Sequence, residues 1–215
     1  MKKLANLVVA GAVVTCLFAG SAQAQNGAGP LDFGLTGGIN ISTLGGSDVE
    51  DADNLTGFMA GVSLVIPVSQ IFAIQPELPY SRKGAKASSG GFTEEIRLAY
   101  IDIPVLARIP FGTNPAMRPV LFAGPAIGFN VGCEVELSGG GLDEKADCDD
   151  QDVDIDVKSV EVSLIGGAGL DFNNFGIFAR YQHGVTSIDD SPDAGKVYNR
   201  LFTIGARISI PMFNR

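Results

Sequence analysis

The sequence predicts an all-β protein, an eight-stranded antiparallel up-and-down transmembrane β-barrel. Three observations support this fold class. Apolar residues alternate with polar or small residues in eight stretches, each of roughly ten or more residues. Glycine and single charges of both signs occupy the polar positions of those stretches. Short and long connections alternate along the chain, as they do in outer-membrane barrels.

Residues 1–24 precede the predicted barrel and have the pattern of a secretory signal peptide. Two lysines open the segment, an apolar run follows, and residues 22–24 (Ala-Gln-Ala) form a small-x-small cleavage site. We therefore expect export of an outer-membrane barrel domain over residues 25–215. A first transmembrane helix and, because of Cys16, a lipoprotein are the alternatives, which the short apolar run and the poor lipobox disfavour.

The composition excludes several classes of protein. Charged residues are 18% and hydrophobic residues 46% of the chain, which is too apolar for intrinsic disorder. The net charge of −9 argues against nucleic acid as a partner, because phosphate binding requires a basic face. One histidine and three cysteines leave few ligands for a His- or Cys-rich metal centre.

The first four predicted strands cover residues 31–42, 57–67, 71–83 and 98–109. Their apolar positions are Phe33, Leu35, Ile39 and Ile41; Ala60, Val62, Leu64 and Ile66; Phe72, Ile74, Leu78 and Tyr80; and Ile101, Ile103, Val105 and Ile109. The intervening positions are polar, charged or glycine, among them Thr36, Ser63, Glu77 and Asp102. This alternation is the period of a strand with two different faces.

The last four predicted strands cover residues 119–131, 160–172, 175–185 and 202–212. Their apolar positions include Leu121, Ile127 and Phe129; Val160, Val162, Leu164 and Leu170; Ile177, Ala179 and Tyr181; and Phe202, Ile204, Ile208 and Ile210. The polar faces are too rich in glycine and isolated charges to be water-exposed surfaces. We assign them to a narrow lumen and the apolar faces to lipid, because a closed barrel satisfies every backbone group there.

Seven charged residues are predicted to face this lumen: Glu77, Asp102, Arg108, Glu161, Asp171, Arg180 and Arg207. An eight-stranded barrel is just wide enough for side chains to fill it. Unpaired charges would be costly there, so we expect contacts between opposite signs. The interpretation is a salt-bridged plug, with a proton relay or a channel as the alternative. Which acid meets which base is left open.

The connections divide into two sets. Four are predicted to be long polar loops, at about 43–56, 84–97, 132–159 and 187–199, and three are short, at 69–70, 112–117 and 173–174. Within the third strand, Pro76 and Pro79 each remove a backbone donor from the ladder. A β-bulge is therefore predicted at these prolines.

The third long loop is strongly acidic, with ten acids and one lysine between Glu134 and Asp156. Four aspartates of residues 150–156 alternate along the chain, and Glu161 falls at position 12 of an EF-hand count from Asp150. However, Ile155 occupies the position of the required glycine. We interpret the segment as a solvated acidic hairpin and keep calcium binding as the alternative.

Cys133 and Cys148 are the two cysteines of the predicted mature chain, and both lie in this third loop. An even pair in an exported protein predicts a disulfide, with free thiols as the alternative. His183 is the only histidine and therefore the only ready general base near neutral pH. We interpret it as an interfacial residue beside a tyrosine girdle; a Ser/His site for lipid chemistry with Ser187 is the alternative.

Four segments resemble the PorT-type outer-membrane beta-barrel family. They are GLTGGINISTL (34–44), IQPELPYSRKG (74–84), YIDIPVLARI (100–109) and FAGPAIGF (122–129). The resemblance implies an eight-stranded, OmpX-like barrel in the outer membrane of a Gram-negative bacterium. The founding member of that family is linked to protein secretion. This chain departs from the pattern at Pro79 and in its acidic insert at 134–156.

The leading functional prediction is a non-enzymatic, monomeric barrel with a structural or surface-interaction role. Its expected partners are outer-membrane lipid and, at the acidic loop, divalent cations or an extracellular protein. No cofactor or catalytic residue is predicted. The alternatives are a narrow solute channel, a secretion-associated barrel, a lipid-modifying enzyme and a soluble lipocalin-like barrel, the last disfavoured by the polar lumen.

Overall fold

The computed structural model describes residues 30–46, 53–112, 114, 116–148, 157–188 and 197–210. These ranges contain nine β-strands. They are β1 (Asp32–Gly46), β2 (Asp53–Ser69), β3 (Phe72–Ser89), β4 (Phe92–Pro110), β5 (Arg118–Gly139), β6 (Leu142–Asp147), β7 (Val160–Phe172), β8 (Phe175–Gly184) and β9 (Val197–Ile210). The predicted signal peptide and the four aspartates of residues 150–156 lie outside the described residues.

Eight of these strands close into a ring. Strands β1 to β5 pair in sequence order, β5 then pairs with β7, and β8 and β9 return the sheet to β1. Every pairing is antiparallel, and β6 pairs with one end of β5 without entering the ring. The predicted eight-stranded up-and-down barrel is confirmed, and closure leaves no free edge among its strands.

The period-two pattern sorts side chains between the two sides of this ring. Ile39 and Ile204 are 61% and 59% exposed on the outside. Their chain neighbours Asn40 and Thr203 are fully buried inside. Successive side chains of a strand point to opposite faces, so one register directs the predicted apolar face of each strand toward lipid.

The three longest strands extend well beyond the length that a membrane requires. β3, β4 and β5 contain 18, 19 and 22 residues, whereas about 9–11 residues span a bilayer. Their excess length lies at the end with the long connections, which faces outside in barrels of this class. The prediction of a polar loop over 84–97 is therefore wrong, because β3 and β4 continue through it as a hairpin.

Glycine pairs make the two protruding hairpins possible. Gly90 and Gly91 join β3 to β4 with φ angles of 61° and 86°, and Gly140 and Gly141 join β5 to β6 with 60° and 88°. Two consecutive positive φ values give the two-residue turn whose twist matches paired strands. The first part of the predicted loop 132–159 is accordingly strand rather than loop.

The protruding strand ends form one four-stranded sheet, which we call the surface sheet. It comprises residues 85–89, 92–98, 133–139 and 142–147. Register is continuous across it, so that Lys86 pairs with Glu95, Glu95 with Glu136, and Glu136 with Lys145. The barrel and the surface sheet thus share β3, β4 and β5.

The predicted bulge at Pro76 and Pro79 is wrong. The pairs Pro76–Val105 and Tyr80–Ile101 have the same register, so no residue is inserted between them. On the other side of the strand, Gly61 pairs with Pro79, and a Cβ at Gly61 would lie 2.4 Å from the proline Cα. A glycine opposite the ring accommodates the proline without a bulge.

Candidate functional site

The seven predicted lumen charges all lie on the inner side of the barrel. They join Asp32 and Lys83 in four groups: Arg207–Asp32, Arg108–Asp171, Arg180–Glu77 and Lys83–Asp102–Glu161. Asp32 and Lys83 are missing from the predicted network, although both occupy polar positions of their strands. The alternation locates such residues, but the pairing depends on the tilt and stagger of the closed ring.

The first two pairs lie nearest the short turns. Arg207 Nη1 is 2.9 Å from Asp32 Oδ2, and its Nε donates to Ser63 Oγ at 2.8 Å. Arg108 pairs with Asp171 and also donates to Gln75 Oε1 at 2.6 Å. Hydrogen bonds to several acceptors satisfy the forked guanidinium donors, which makes burial of an arginine tolerable.

The Arg180–Glu77 pair lies deeper in the barrel. Arg180 Nη1 is 2.8 Å from Glu77 Oε2, while Gln75 Nε2 donates to Glu77 Oε1 at 2.6 Å. Both ionic side chains are at most 4% exposed. A cavity of about 20 Å³ beside them, lined in part by Thr36 and Phe178, has room for about one water molecule. The barrel is therefore filled rather than open at this level.

A neutral layer separates this pair from the upper charges. Asn40 Nδ2 donates to Ser81 Oγ at 3.0 Å, and Thr203 Oγ1 donates to Asn40 Oδ1 at 2.9 Å. These bonds connect β1, β3 and β9 across the lumen. On the other side, Gln182 Nε2 donates to Ser163 Oγ at 2.9 Å.

The uppermost charged group is centred on Lys83. Its Nζ lies 3.0 Å from Asp102 Oδ1 and 3.4 Å from Glu161 Oε2, and all three side chains are at most 1% exposed. The ammonium also sits 4.4 Å from the ring centroid of Tyr100. Asn199 Nδ2 donates to Glu161 Oε2 at 3.0 Å. Here one cation contacts two carboxylates, whereas each arginine below contacts one.

Part of the lumen is apolar, contrary to the predicted polar interior. Five buried side chains and the partly buried Phe178 pack together: Leu106, Val120, Phe122, Ala126 and Ile165. The rings of Phe122 and Phe178 meet edge to face, with centroids 6.4 Å apart. Large aromatic side chains fill space that paired charges leave, so packing as well as ion pairing closes the barrel.

A second apolar cluster closes the outer mouth. Leu98, Tyr100 and Ile188 are its buried members, and Leu44, Ile96, Cys133, Val157 and Val197 pack against them. Ile188 belongs to the connection between β8 and β9, so this connection folds over the lumen. We call this cluster the mouth plug. It separates the Lys83 group from the outside solution.

The disulfide joins the surface sheet to the mouth plug. Cys133 on β5 bonds to Cys148, which follows β6, with their Cα atoms 5.4 Å apart. A register shift places Tyr100 opposite Asn130 and Ala99 opposite Gly132, so one extra residue lies between them on β5. This bulge turns Cys133 inward and leaves Glu134 and Glu136 on the outer face of the sheet.

Ion pairs cover the outer face of the surface sheet. Arg97 Nη2 is 2.6 Å from Glu95, Arg97 Nη1 is 2.9 Å from Glu136, and Lys145 Nζ is 3.0 Å from Glu136. The hydrogen bond to Glu95 and the nearby carboxylate charges raise the pKa of Arg97. The result is a cross-strand network on β4, β5 and β6, suited to contact with water.

The inner face of the same sheet exposes two apolar side chains near its hairpin turns. Phe92 and Leu137 are 43% and 37% exposed there. Two acids, Glu94 and Glu144, share that face, because Glu94 pairs with Leu137 and Leu137 with Glu144. The tip thus offers apolar groups flanked by carboxylates.

His183 lies on the outer side of β8 between two tyrosines. Its ring stacks on Tyr181 and Tyr198 at centroid distances of 6.2 and 6.3 Å. The nearby Ser187 Oγ accepts a hydrogen bond from Val197 N at 3.1 Å. An aromatic row of this kind is typical of a membrane interface.

The described ranges contain neither a cluster of metal-binding side chains nor a membrane-spanning helix. No group of three or more His, Cys, Asp or Glu side chains there could hold a metal ion. Glu161, at position 12 of the EF-hand count, is bound to Lys83 inside the barrel. No helix among the described residues is long and apolar enough to span a membrane.

The chain is similar to several solved structures of outer-membrane proteins. One is Ail, the attachment invasion locus protein of Yersinia pestis, solved in complex with the heparin analogue sucrose octasulfate. Its sequence is 17% identical to this chain, and the TM-score is 0.44. The match covers 85% of this chain and 100% of the Ail chain. Neisserial surface protein A is 15% identical with a TM-score of 0.47 and the same coverage. The outer membrane enzyme PagL is 11% identical with a TM-score of 0.38, covering 84% and 100%.

No curated relative matches the chain. Residues 22–190 match the family described as outer membrane protein beta-barrel domain. That segment contains seven of the eight ring strands. With its closed ring and apolar exterior, the chain belongs to the outer membrane protein beta-barrel domain family and resides in the outer membrane.

Proposed function

We propose that the protein is a non-conducting, non-enzymatic barrel that holds the surface sheet outside the cell as a binding surface. The barrel supplies the anchor and the disulfide orients the sheet. The partner is an extracellular protein surface that combines apolar groups with positive charge. This finer role rests on the geometry of the sheet and goes beyond membership of the family.

The filled interior supports an anchoring role. Ion pairs, an apolar cluster beside them and a neutral polar layer fill the lumen, and the mouth plug closes its outer end. Solute passage would require Arg180 and Glu77 to separate inside a low-dielectric interior, which costs several kcal/mol. A structural barrel fits this packing better than a narrow solute channel does.

The tip of the surface sheet is the observation that carries the proposal. Apolar groups clustered on a water-exposed surface mark interaction sites. Phe92 and Leu137 are diagonal neighbours on adjacent strands β4 and β5, and Glu94 and Glu144 lie directly opposite Leu137. Aromatic anchors surrounded by charge are typical of interface centres, and carboxylates select a basic partner.

The test compares adhesion of cells that produce different variants. Retention on a surface coated with lysozyme, a basic protein, is measured against a surface coated with serum albumin, an acidic one. Wild-type cells are expected to prefer lysozyme, and Phe92→Ser with Leu137→Ser is expected to lower retention severalfold. Phe111→Ser is the matched control, because Phe111 is 44% exposed at the opposite end of the barrel. Equal retention of all three strains, or stepwise conductance in planar bilayers, would refute the proposal.

We also propose that the chain belongs to the PorT-type subgroup, that residues 1–24 are removed on export, that the barrel is monomeric, and that the acidic segment binds divalent cations. The secretion role has no supporting feature in the described residues. For the lipid-modifying alternative, unchanged lipid A in cells carrying His183→Ala would be the deciding negative result.

A further inference from the structure

The buried charges of the lumen balance everywhere except at one place. Three arginines each face one carboxylate, as in Arg180–Glu77. Lys83 instead faces both Asp102 and Glu161. The described interior therefore carries one surplus negative charge, located at the Lys83 group. An unbalanced charge in a low-dielectric interior is strongly unfavourable unless a counter-ion is bound.

The same group also has too few hydrogen-bond donors. Asp102 Oδ2, Glu161 Oε1 and Asn199 Oδ1 are buried without a hydrogen-bond partner, and the one unpartnered donor beside them is the hydroxyl of Tyr100. Asn199 is 2% exposed, and it belongs to the group because its amide nitrogen donates to Glu161. Buried acceptors of this kind are normally satisfied, so three oxygens in one group indicate a missing ligand.

A glycine packs closely against one of these oxygens. A Cβ at Gly184 would lie 2.8 Å from Glu161 Oε1 and 3.2 Å from the backbone oxygen of Asn199. Any side chain at this position would therefore crowd the unsatisfied carboxylate oxygen. The carboxylate and amide oxygens are hard ligands, the kind that alkali and alkaline-earth cations prefer.

We propose that the Lys83 group binds one monovalent cation of the size of sodium between Asp102 and Glu161. A water molecule would supply hydrogen-bond donors but would leave the surplus negative charge, whereas a divalent ion would leave a net positive charge. A single monovalent ion neutralises the surplus charge and is coordinated by the unpartnered oxygens. Because the mouth plug covers the group, the ion is enclosed as the barrel folds.

The test measures the thermal midpoint of the folded barrel after refolding in sodium chloride or choline chloride at equal ionic strength. Gel mobility with and without heating reports the folded fraction. Wild-type protein is expected to have the higher midpoint in sodium. Asp102→Asn leaves Lys83 with one carboxylate and is expected to abolish the difference, and Glu161→Gln is a second variant with the same expectation.

Asp171→Asn is the matched control, because Asp171 belongs to a one-to-one pair with Arg108. This variant is expected to be less stable than wild type yet to retain the sodium effect. Equal wild-type midpoints in both salts would show that no cation, or only a proton, balances the group. A sodium effect that survives in Asp102→Asn and Glu161→Gln would assign it to the acidic exterior. Either result overturns the proposal.

Discussion

The barrel and the surface sheet share strands β3, β4 and β5, yet their inner and outer faces have opposite polarity. On the barrel part of β4, Ile103 faces out and Asp102 faces in; on its surface-sheet part, Arg97 faces out and Leu98 faces in. Lipid surrounds the first part and water surrounds the second. The comparison shows that a strand has no fixed apolar side, because the surrounding solvent decides which face must be apolar.

The two regions also differ in how charges are held. Deep inside the barrel, the Arg180–Glu77 pair and the Lys83 group are at most 4% exposed, and further hydrogen bonds support them. On the surface sheet, Lys145 is 53% exposed and water competes for its charge. Loss of one buried partner should therefore cost far more than loss of one surface partner.

The largest expected effect comes from leaving a buried charge unpaired. Arg180→Met isolates Glu77 and is expected to lower the free energy of unfolding by about 3–5 kcal/mol, because the carboxylate stays buried without its cation. Urea-dependent unfolding in lipid vesicles measures this change. Glu77→Gln combined with Arg180→Met removes both charges and should recover most of the loss. A loss below about 1 kcal/mol in the single variant would contradict this expectation, because that is the contribution of a solvent-exposed ion pair.

A charge on the lipid face should have the next largest effect. Ile204→Lys puts an ammonium where the side chain is 59% exposed to lipid, at an expected cost of about 2–4 kcal/mol near the bilayer midplane. Thr93→Lys makes the same addition on the surface sheet and should change stability by less than about 0.5 kcal/mol. The same urea titration checks both variants, and equal costs would contradict the assignment of the two regions to different solvents.

The smallest effect is expected at the surface network. Glu136→Gln removes the carboxylate that contacts Arg97 and Lys145, with an expected cost of about 1 kcal/mol or less. Hydrogen exchange of the β6 amides measures this local loss, which should shrink as salt screens the charges. Glu94→Gln on the opposite face is the control. If Glu136→Gln lowered the stability of the whole barrel, the surface sheet would not open independently of the barrel.

The barrel could be predicted from the sequence because strand alternation is local. Whether Asp102 and Ile103 face opposite sides follows from their adjacency alone. The contact of Lys83 with Glu161 could not be predicted, since these residues are 78 positions apart and meet only through the stagger of the closed ring. The apolar part of the lumen was not predicted either. Leu106 and Phe122 occupy inward-facing positions of their strands, as the lumen charges do.

The surface sheet was missed although its signal is present. Gly90-Gly91 and Gly140-Gly141 are pairs of the kind that closes two-residue hairpins. The polar residues around them suggested loops, because loops and water-exposed strands have similar compositions. A glycine pair between two polar stretches that alternate with period two indicates a water-exposed hairpin rather than a loop.

The most direct test of the account measures which side chains face lipid. The chain has no tryptophan, so Ile204→Trp and Phe178→Trp each introduce a single reporter, the first outside the barrel and the second in its apolar interior cluster. In vesicles of brominated lipid, fluorescence of Ile204→Trp is expected to be quenched, and that of Phe178→Trp is expected to be preserved. Quenching of Phe178→Trp with protection of Ile204→Trp would contradict the barrel's orientation of its two faces.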